Sequence, residues 1–243
     1  MESLRDLLKN SVKDYGVSLS DSDCEAFERY SLLLREWNEK MNLTAITEER
    51  EIVIKHFSDS LSIVPYLPKD RLENGDLSVI DVGTGAGFPG IPLKITFPGI
   101  SLTLLDSLEK RIKFLNEVLS QVEASDYKCV HARAEDVGHN TEYREKYDIC
   151  TARAVAKLPI LLEYCLPFVK VGGLFIAMKG SDIQEIEESK EALNSLGGEI
   201  IAKKSFNLFN SDIKRNVILV RKNRQTSTKY PRKSNVIAKL NKK

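Results

Sequence analysis

The sequence lacks the roughly 18 to 20 consecutive apolar residues that a membrane-crossing helix needs, because charges interrupt every hydrophobic run. Cysteine is scarce: Cys24, Cys129, Cys150 and Cys165 share no CxxC spacing, and the last three stand in apolar surroundings, so reduced core thiols are expected rather than a zinc knuckle or disulfide framework. The three histidines, His56, His131 and His139, are isolated in sequence, which favours hydrogen-bonding roles over metal ligation. The opening residues Met1 to Asp6 alternate charge within a helical pattern and never build the apolar core of a secretion signal, so a cytoplasmic protein is expected. What the 243 residues do contain, 42% hydrophobic and 29% charged with 13 Gly and 8 Pro, excludes disorder as the overall state. A chain of this length buries about three quarters of its unfolded surface without any covalent staple.

The formal net charge of +1 hides an asymmetry. Residues 214–243 hold eleven Lys or Arg and no acid, against 25 basic and 35 acidic groups in the preceding 213 residues. A basic tail on an acidic body points to a polyanion, nucleic acid first among them, or else to a solvated tail that aids solubility.

Residues 1–67 read as a helical unit. Leu4, Leu7, Leu8 and Val12 form one stripe, Phe27, Tyr30, Leu33, Leu34 and Trp37 a second behind an N-cap at Ser20 or Asp21, and Glu48 to Tyr66 a third. Residues 68–222 read as α/β. Strands are expected at Leu77–Val82, Ser101–Leu105, Tyr127–His131, Tyr147–Thr151 and Leu174–Met178, alternating with helices, one of them capped by Ser107, one at Ile160–Val169 and one at Ile183–Leu196. Ile200–Phe206 and Asn216–Arg221 suggest an antiparallel pair at the sheet edge, and residues 223–243 form the basic tail.

The stretch Val79 to Gly90 is an apolar strand running into Gly83, Gly85 and Gly87 and then a helix start, a turn that lets a nucleotide-type ligand approach the backbone. A second strand follows, ending in Asp106, 21 residues after Gly85, where a carboxylate can take both hydroxyls of a ribose. That spacing also suits a dinucleotide. Asp81, two residues before the first glycine, argues against one if it faces the ligand, because a carboxylate repels phosphates and suits a sulfonium cation; alternatively it bonds the loop's own amides. The pattern Asp81-x-Gly83-x-Gly85-x-Gly87 resembles the first motif of class I methyltransferases.

The longer run Asp81 to Leu93 resembles the glucose-inhibited division protein B family, the small-subunit rRNA guanine-N7 methyltransferases. Matching pieces follow in order: Trp37 to Thr44, His56 to Leu61, Leu105 to Arg111, Arg133-Ala134-Glu135, Ala152-Arg153-Ala154, Lys179-Gly180 and Tyr230-Pro231-Arg232-Lys233. After Lys233 the sequence departs from the glycine- and proline-containing ending of the family. The resemblance implies a Rossmann-like class I fold: a mostly parallel seven-stranded sheet with an antiparallel edge strand, plus an N-terminal helical cap. It further implies S-adenosylmethionine held by Gly83, Gly85, Gly87 and Phe88, by Asp106 at the ribose, by Ala134 and Glu135, and by Arg153, with 16S rRNA as substrate.

N7 of guanine carries a lone pair and no proton, so methyl transfer to it needs alignment rather than a general base, and no catalytic residue is nominated. The sequence agrees in holding no convincing nucleophile and base pair, no Asn/Asp-Pro-Pro-Tyr/Phe tetrapeptide and no Pro-Cys motif. A ribose 2′-oxygen target is the rival, with Lys179 at the end of the fifth strand. Arg133, Lys179, Arg215, Lys229, Arg232 and Lys233 are the expected phosphate contacts. Trp37 is expected to pack within the cap. A nicotinamide-dependent oxidoreductase and a noncatalytic RNA-binding factor are the competing classes.

Overall fold

The alternation of apolar runs with amphipathic segments closes into one seven-stranded sheet in the computed structural model, which describes residues 2–180 and 185–240. The strands are β1 (Ser78–Val82), β2 (Ser101–Asp106), β3 (Tyr127–His131), β4 (Tyr147–Arg153), β5 (Val169–Lys179), β6 (Gly198–Asn207) and β7 (Lys214–Lys222), in the order β3-β2-β1-β4-β5-β7-β6. The first five are mutually parallel; β7 runs antiparallel to both β5 and β6, so the expected antiparallel pair closes one edge with β7 inserted inside β6. An inserted antiparallel strand separates this sheet from the six-stranded parallel order of dinucleotide-binding folds.

Expected strand ends agree within two residues except at β5, which starts at Val169 rather than Leu174. The cause is the pair Gly172 and Gly173. Gly172 takes φ +87 and a Cβ at Gly173 would lie 2.7 Å from the Asp148 carbonyl, so these glycines serve a bulge inside the strand where they read as its boundary. The preceding helix stops at Cys165 because Pro167 has no N–H to continue it. Ser107 does not cap the helix Glu109–Gln121; the Leu108 amide donates instead to Asp106 Oδ1 at 3.0 Å. The start expected at Ile183 lies outside the described residues, and the remainder of that helix divides into Glu185–Glu188 and Lys190–Leu196 before Gly197.

Ser20 closes a full capping box with Asp23 ahead of the helix Asp21–Met41. The third N-terminal segment is a π-helical turn, Val53–Ser58, between single α-helical turns. Tyr30, Phe27 and Phe57 from these helices share a core with Leu102, Leu104 and Ile91, so the cap and one sheet face bury a continuous apolar surface. The opposite face, through Ile80, Val82, Cys150 and Ala152, packs on the helix Leu158–Cys165. Trp37 lies 5.6 Å from the ring of Phe114 on the helix Glu109–Gln121, so it packs at the seam between cap and α/β body. No helix among the described residues is long and apolar enough to cross a membrane.

Candidate functional site

Two cavities open at the C-terminal ends of the parallel strands and share one wall residue, Ala154. The first, about 290 Å³, is lined by Gly83 after β1, Asp106 at the end of β2, Ala132 to Glu135 after β3, and Ala154 and Val155 after β4, with Arg111 and Tyr164 at its sides. Asp106 is 3% exposed. Its Oδ2 accepts from the Gly85 amide at 2.9 Å and from Arg111 at 3.2 Å, so the carboxylate ties the glycine loop to the second strand. Glu135 is the other buried acid here, whereas Arg133 stands at the rim with 64% of its side chain exposed.

Gly83 fits this wall for two reasons: its φ is +68, and a Cβ there would come within 2.7 Å of Val155. Gly87, at φ +99, does not line the cavity; a Cβ there would strike Ile91 and the Tyr30 hydroxyl. Phe88, expected beside the cofactor, is likewise turned away. Its ring stacks on His56 at 4.4 Å and Tyr30 at 5.4 Å, Arg153 lies over it at 4.7 Å, and 4% of the residue is exposed. The cap occupies the ring that a ligand was expected to use, and the Tyr30 hydroxyl donates to the Ala86 carbonyl, fastening cap to glycine loop.

Asp81 follows the second of its two readings. It is wholly buried, and its carboxylate accepts from the Thr84 and Thr151 hydroxyls and the Gly90 amide. Burial pushes its carboxyl above the usual range despite those bonds. It reaches neither cavity, so the expected repulsion of phosphate loses its basis, and the sheet order carries the case against a dinucleotide fold.

The second cavity, about 330 Å³, collects Lys55, His56 and Asp59 from the π-turned helix, Arg153 from β4, Lys179 from β5 and Arg215 from β7. Arg153 was expected at the cofactor; its side chain lines this cavity instead of the first. Its Nη1 donates to Asp59 at 3.1 Å and Nη2 to His56 Nδ1 at 3.3 Å. Arg215 meets the same carboxylate at 3.2 Å. Because a guanidinium only donates, Nδ1 of His56 is the acceptor and Nε2–H donates to the Thr44 hydroxyl at 2.8 Å. Burial beside Arg153 lowers the His56 pKa to about 3, so the ring stays neutral. Lys179 is committed elsewhere: it pairs with Glu185 at 3.0 Å and donates to the Ala156 carbonyl at 2.9 Å, bracing the loop in which Ala154 takes φ +56.

Of the expected RNA contacts, Arg133 rims the first cavity, and Lys179 and Arg215 line the second. Arg232 does not face solvent as a free cation; it forms a bidentate pair with buried Glu163. Sequence reasoning missed Asp59, His56, Arg111, Glu163 and Ser234 as site-building residues. A signal existed for Glu163, a lone acid in the apolar run Leu158 to Phe168, which must find a cation when buried.

Residues 23–217 match the family described as GidB, rRNA small subunit methyltransferase G. A protein of Acetivibrio thermocellus named ribosomal RNA small subunit methyltransferase G is 60% identical over 231 residues, 95% of this chain and 93% of that one. Its namesake in Thermoanaerobacter sp. (strain X514) is 52% identical, with 96% and 95% of the two chains covered. Among solved structures, a protein of Thermoplasma acidophilum described as a methyltransferase superposes with a TM-score of 0.50 at 12% identity, over 62% of this chain and 70% of the other, a likeness of fold.

Proposed function

This chain belongs to the rRNA small subunit methyltransferase G family, and from that premise we propose that it methylates N7 of a guanine in 16S rRNA, using S-adenosylmethionine, in the cytoplasm. The observation that supports it best is the pairing of cavities across Ala154, one with two buried acids beside a glycine loop, the other lined by four cations, two of them paired with the lining carboxylate Asp59.

The first cavity fits the cofactor. Asp106 offers carboxylate oxygens to ribose hydroxyls, Glu135 an acceptor to an exocyclic amine, and Gly83 a close backbone approach. The bound cofactor supplies an electrophilic methyl group. The chain's residues then have three tasks: to hold the target base in line, to exclude water and to keep backbone phosphates in register. Arg215 and Lys55 suit the last task, and Arg153, pinned by Asp59 and His56, sets the wall between the two ligands. No group is required to remove a proton from N7. With its ammonium engaged by Glu185 and Ala156, Lys179 is poorly placed as the base that 2′-oxygen chemistry would need.

Incubating the protein and tritiated S-adenosylmethionine with small subunits and free 16S rRNA from cells lacking it, then mapping the label, tests the reading. Label at guanine N7 is expected. Label on ribose or an exocyclic amine would overturn the ring-nitrogen assignment, and no transfer to either substrate would favour a noncatalytic RNA-binding factor.

A further inference from the structure

The chain beyond β7 is basic, yet it does not leave the body. Thr226 donates its amide to Glu145 at 2.9 Å and its hydroxyl to the Leu196 carbonyl at 2.7 Å. Arg144 spends its guanidinium on the carbonyls of Thr226, Ser227 and Tyr230 in this segment and of Gly138 in the body. His139 donates to the Pro231 carbonyl at 2.7 Å, and Pro231 lies so close to Gly138 that a Cβ there would be 2.8 Å from its ring. Ile237 is 1% exposed.

The middle of this strap meets walls of the first cavity at two neighbouring points, Arg232 and Ser234. Arg232 donates its Nη2 and backbone amide, each at 2.6 Å, to Glu163, which is 2% exposed and adjoins the wall residue Tyr164. Ser234 Oγ donates to Glu135 Oε1 at 2.5 Å. No hydrogen bond among the described residues reaches Glu135 Oε2, the acceptor left for a ligand donor in the cavity. A turn as short as Ala134–Val137 has little rigidity of its own; here it is held at Glu135 by Ser234 and at Gly138 and His139 by Pro231.

We propose, resting on the cofactor assignment above, that the C-terminal strap is part of the cofactor site, with Ser234 and Arg232 as positioning residues that aim Glu135 and fix the wall carrying it. The basic segment therefore serves cofactor binding through its docking contacts, and RNA only through cations such as Lys229 that the docking leaves exposed. A hydroxyl that fixes one carboxylate oxygen aims the other, and a misaimed acceptor binds its ligand's donor more weakly.

Isothermal titration of S-adenosylmethionine into the full-length protein and its variants, beside titration of a 16S rRNA fragment, tests this. Ser234→Ala should raise the cofactor Kd about tenfold, in line with weakening one charge-assisted hydrogen bond. Ser234→Thr should restore it to within about twofold, because the hydroxyl returns. In turnover assays, Ser234→Ala should raise the cofactor KM while leaving kcat and the RNA Kd near wild type. Arg232→Gln should act in the same direction, and Ser234→Ala decides alone if that variant fails to fold. Cofactor affinity unchanged in both variants, or an RNA Kd that rises alone, would overturn the proposal. Absence of cofactor binding to the wild type would overturn the cofactor reading itself, and the strap's role with it.

Discussion

The two cavities beside Ala154 solve opposite electrostatic problems. In the first the acids are deep, with 2% of the Asp106 side chain and 5% of the Glu135 side chain exposed, while Arg111 and Arg133 stand toward the opening. In the second the cations are deep, Arg153 at 15% exposed against Asp59 at 4%, and Lys179 at 11% against Glu185. The proposed methylation at N7 would move a positive charge from the donor onto the base. A floor of cations is therefore a poor bed for the methylated ring and a good one for the phosphates that accompany it. On the proposed assignment, donor and acceptor sides are told apart by which sign of charge is buried, not by total charge.

The sharpest way to break the contrast is to remove Asp59, the carboxylate that lines the cationic cavity among the described residues. Asp59→Ala leaves the half-buried Arg153 and Arg215 without their buried carboxylate, and urea denaturation should show a loss of about 3 kcal/mol. A loss under about 1 kcal/mol would mean that the two guanidiniums find water, and that the cavity floor is softer than its geometry indicates. Removing one of the two acids from the other side should act on ligand more than on fold. Asp106→Ala should weaken S-adenosylmethionine binding about 100-fold, the scale of two hydrogen bonds to a charged acceptor, with RNA affinity unchanged. Unchanged cofactor affinity in a calorimetric titration would remove Asp106 from the ribose role.

The two sides also differ in how far the sequence discloses them. Gly83, Gly85 and Asp106 lie within one strand–turn–helix–strand unit, where local spacing carries the geometry, and all seven strands follow from apolar runs and turns. The cationic side joins Asp59 to Arg153 across 94 positions and to Arg215 across 156, distances that only the tertiary fold bridges. Phe88 shows the same limit from within the motif. An aromatic after a glycine loop reads equally well as a ligand platform or a core residue, and the choice is made by Tyr30 and His56, which belong to the cap. The basic tail misleads because composition counts charges without their partners: Glu163 and the carbonyls around Arg144 decide that the segment docks.

Acidity should separate the sides next. His56 is held neutral among Arg153, Lys55, Arg215 and Asp59, with a pKa of about 3 in the folded chain against an ordinary value of 6.5. Below the ordinary value the unfolded chain takes up a proton that the folded chain refuses, so stability falls as pH drops through that window toward the folded value. From pH 7 to 5 the cost is about 2 kcal/mol. His56→Gln lacks this titration, so its deficit relative to wild type in urea should shrink by about that amount at pH 5. A deficit that stays constant would show that the ring is protonated in the folded state, contrary to its bond from Arg153.

Arg133 offers the smallest and most discriminating change, because it is the more exposed of the two cations on the acidic side. Its Nη1 lies 3.8 Å from Glu135, too long and too exposed to hold that carboxylate as Ser234 does. If it meets an RNA phosphate at the cavity mouth, Arg133→Gln should weaken rRNA binding about two- to threefold and lower the salt slope by about one, with cofactor affinity unaltered. A weaker cofactor and an unchanged salt slope would place Arg133 with the donor side, and the RNA path would then be confined to the cations beyond Ala154.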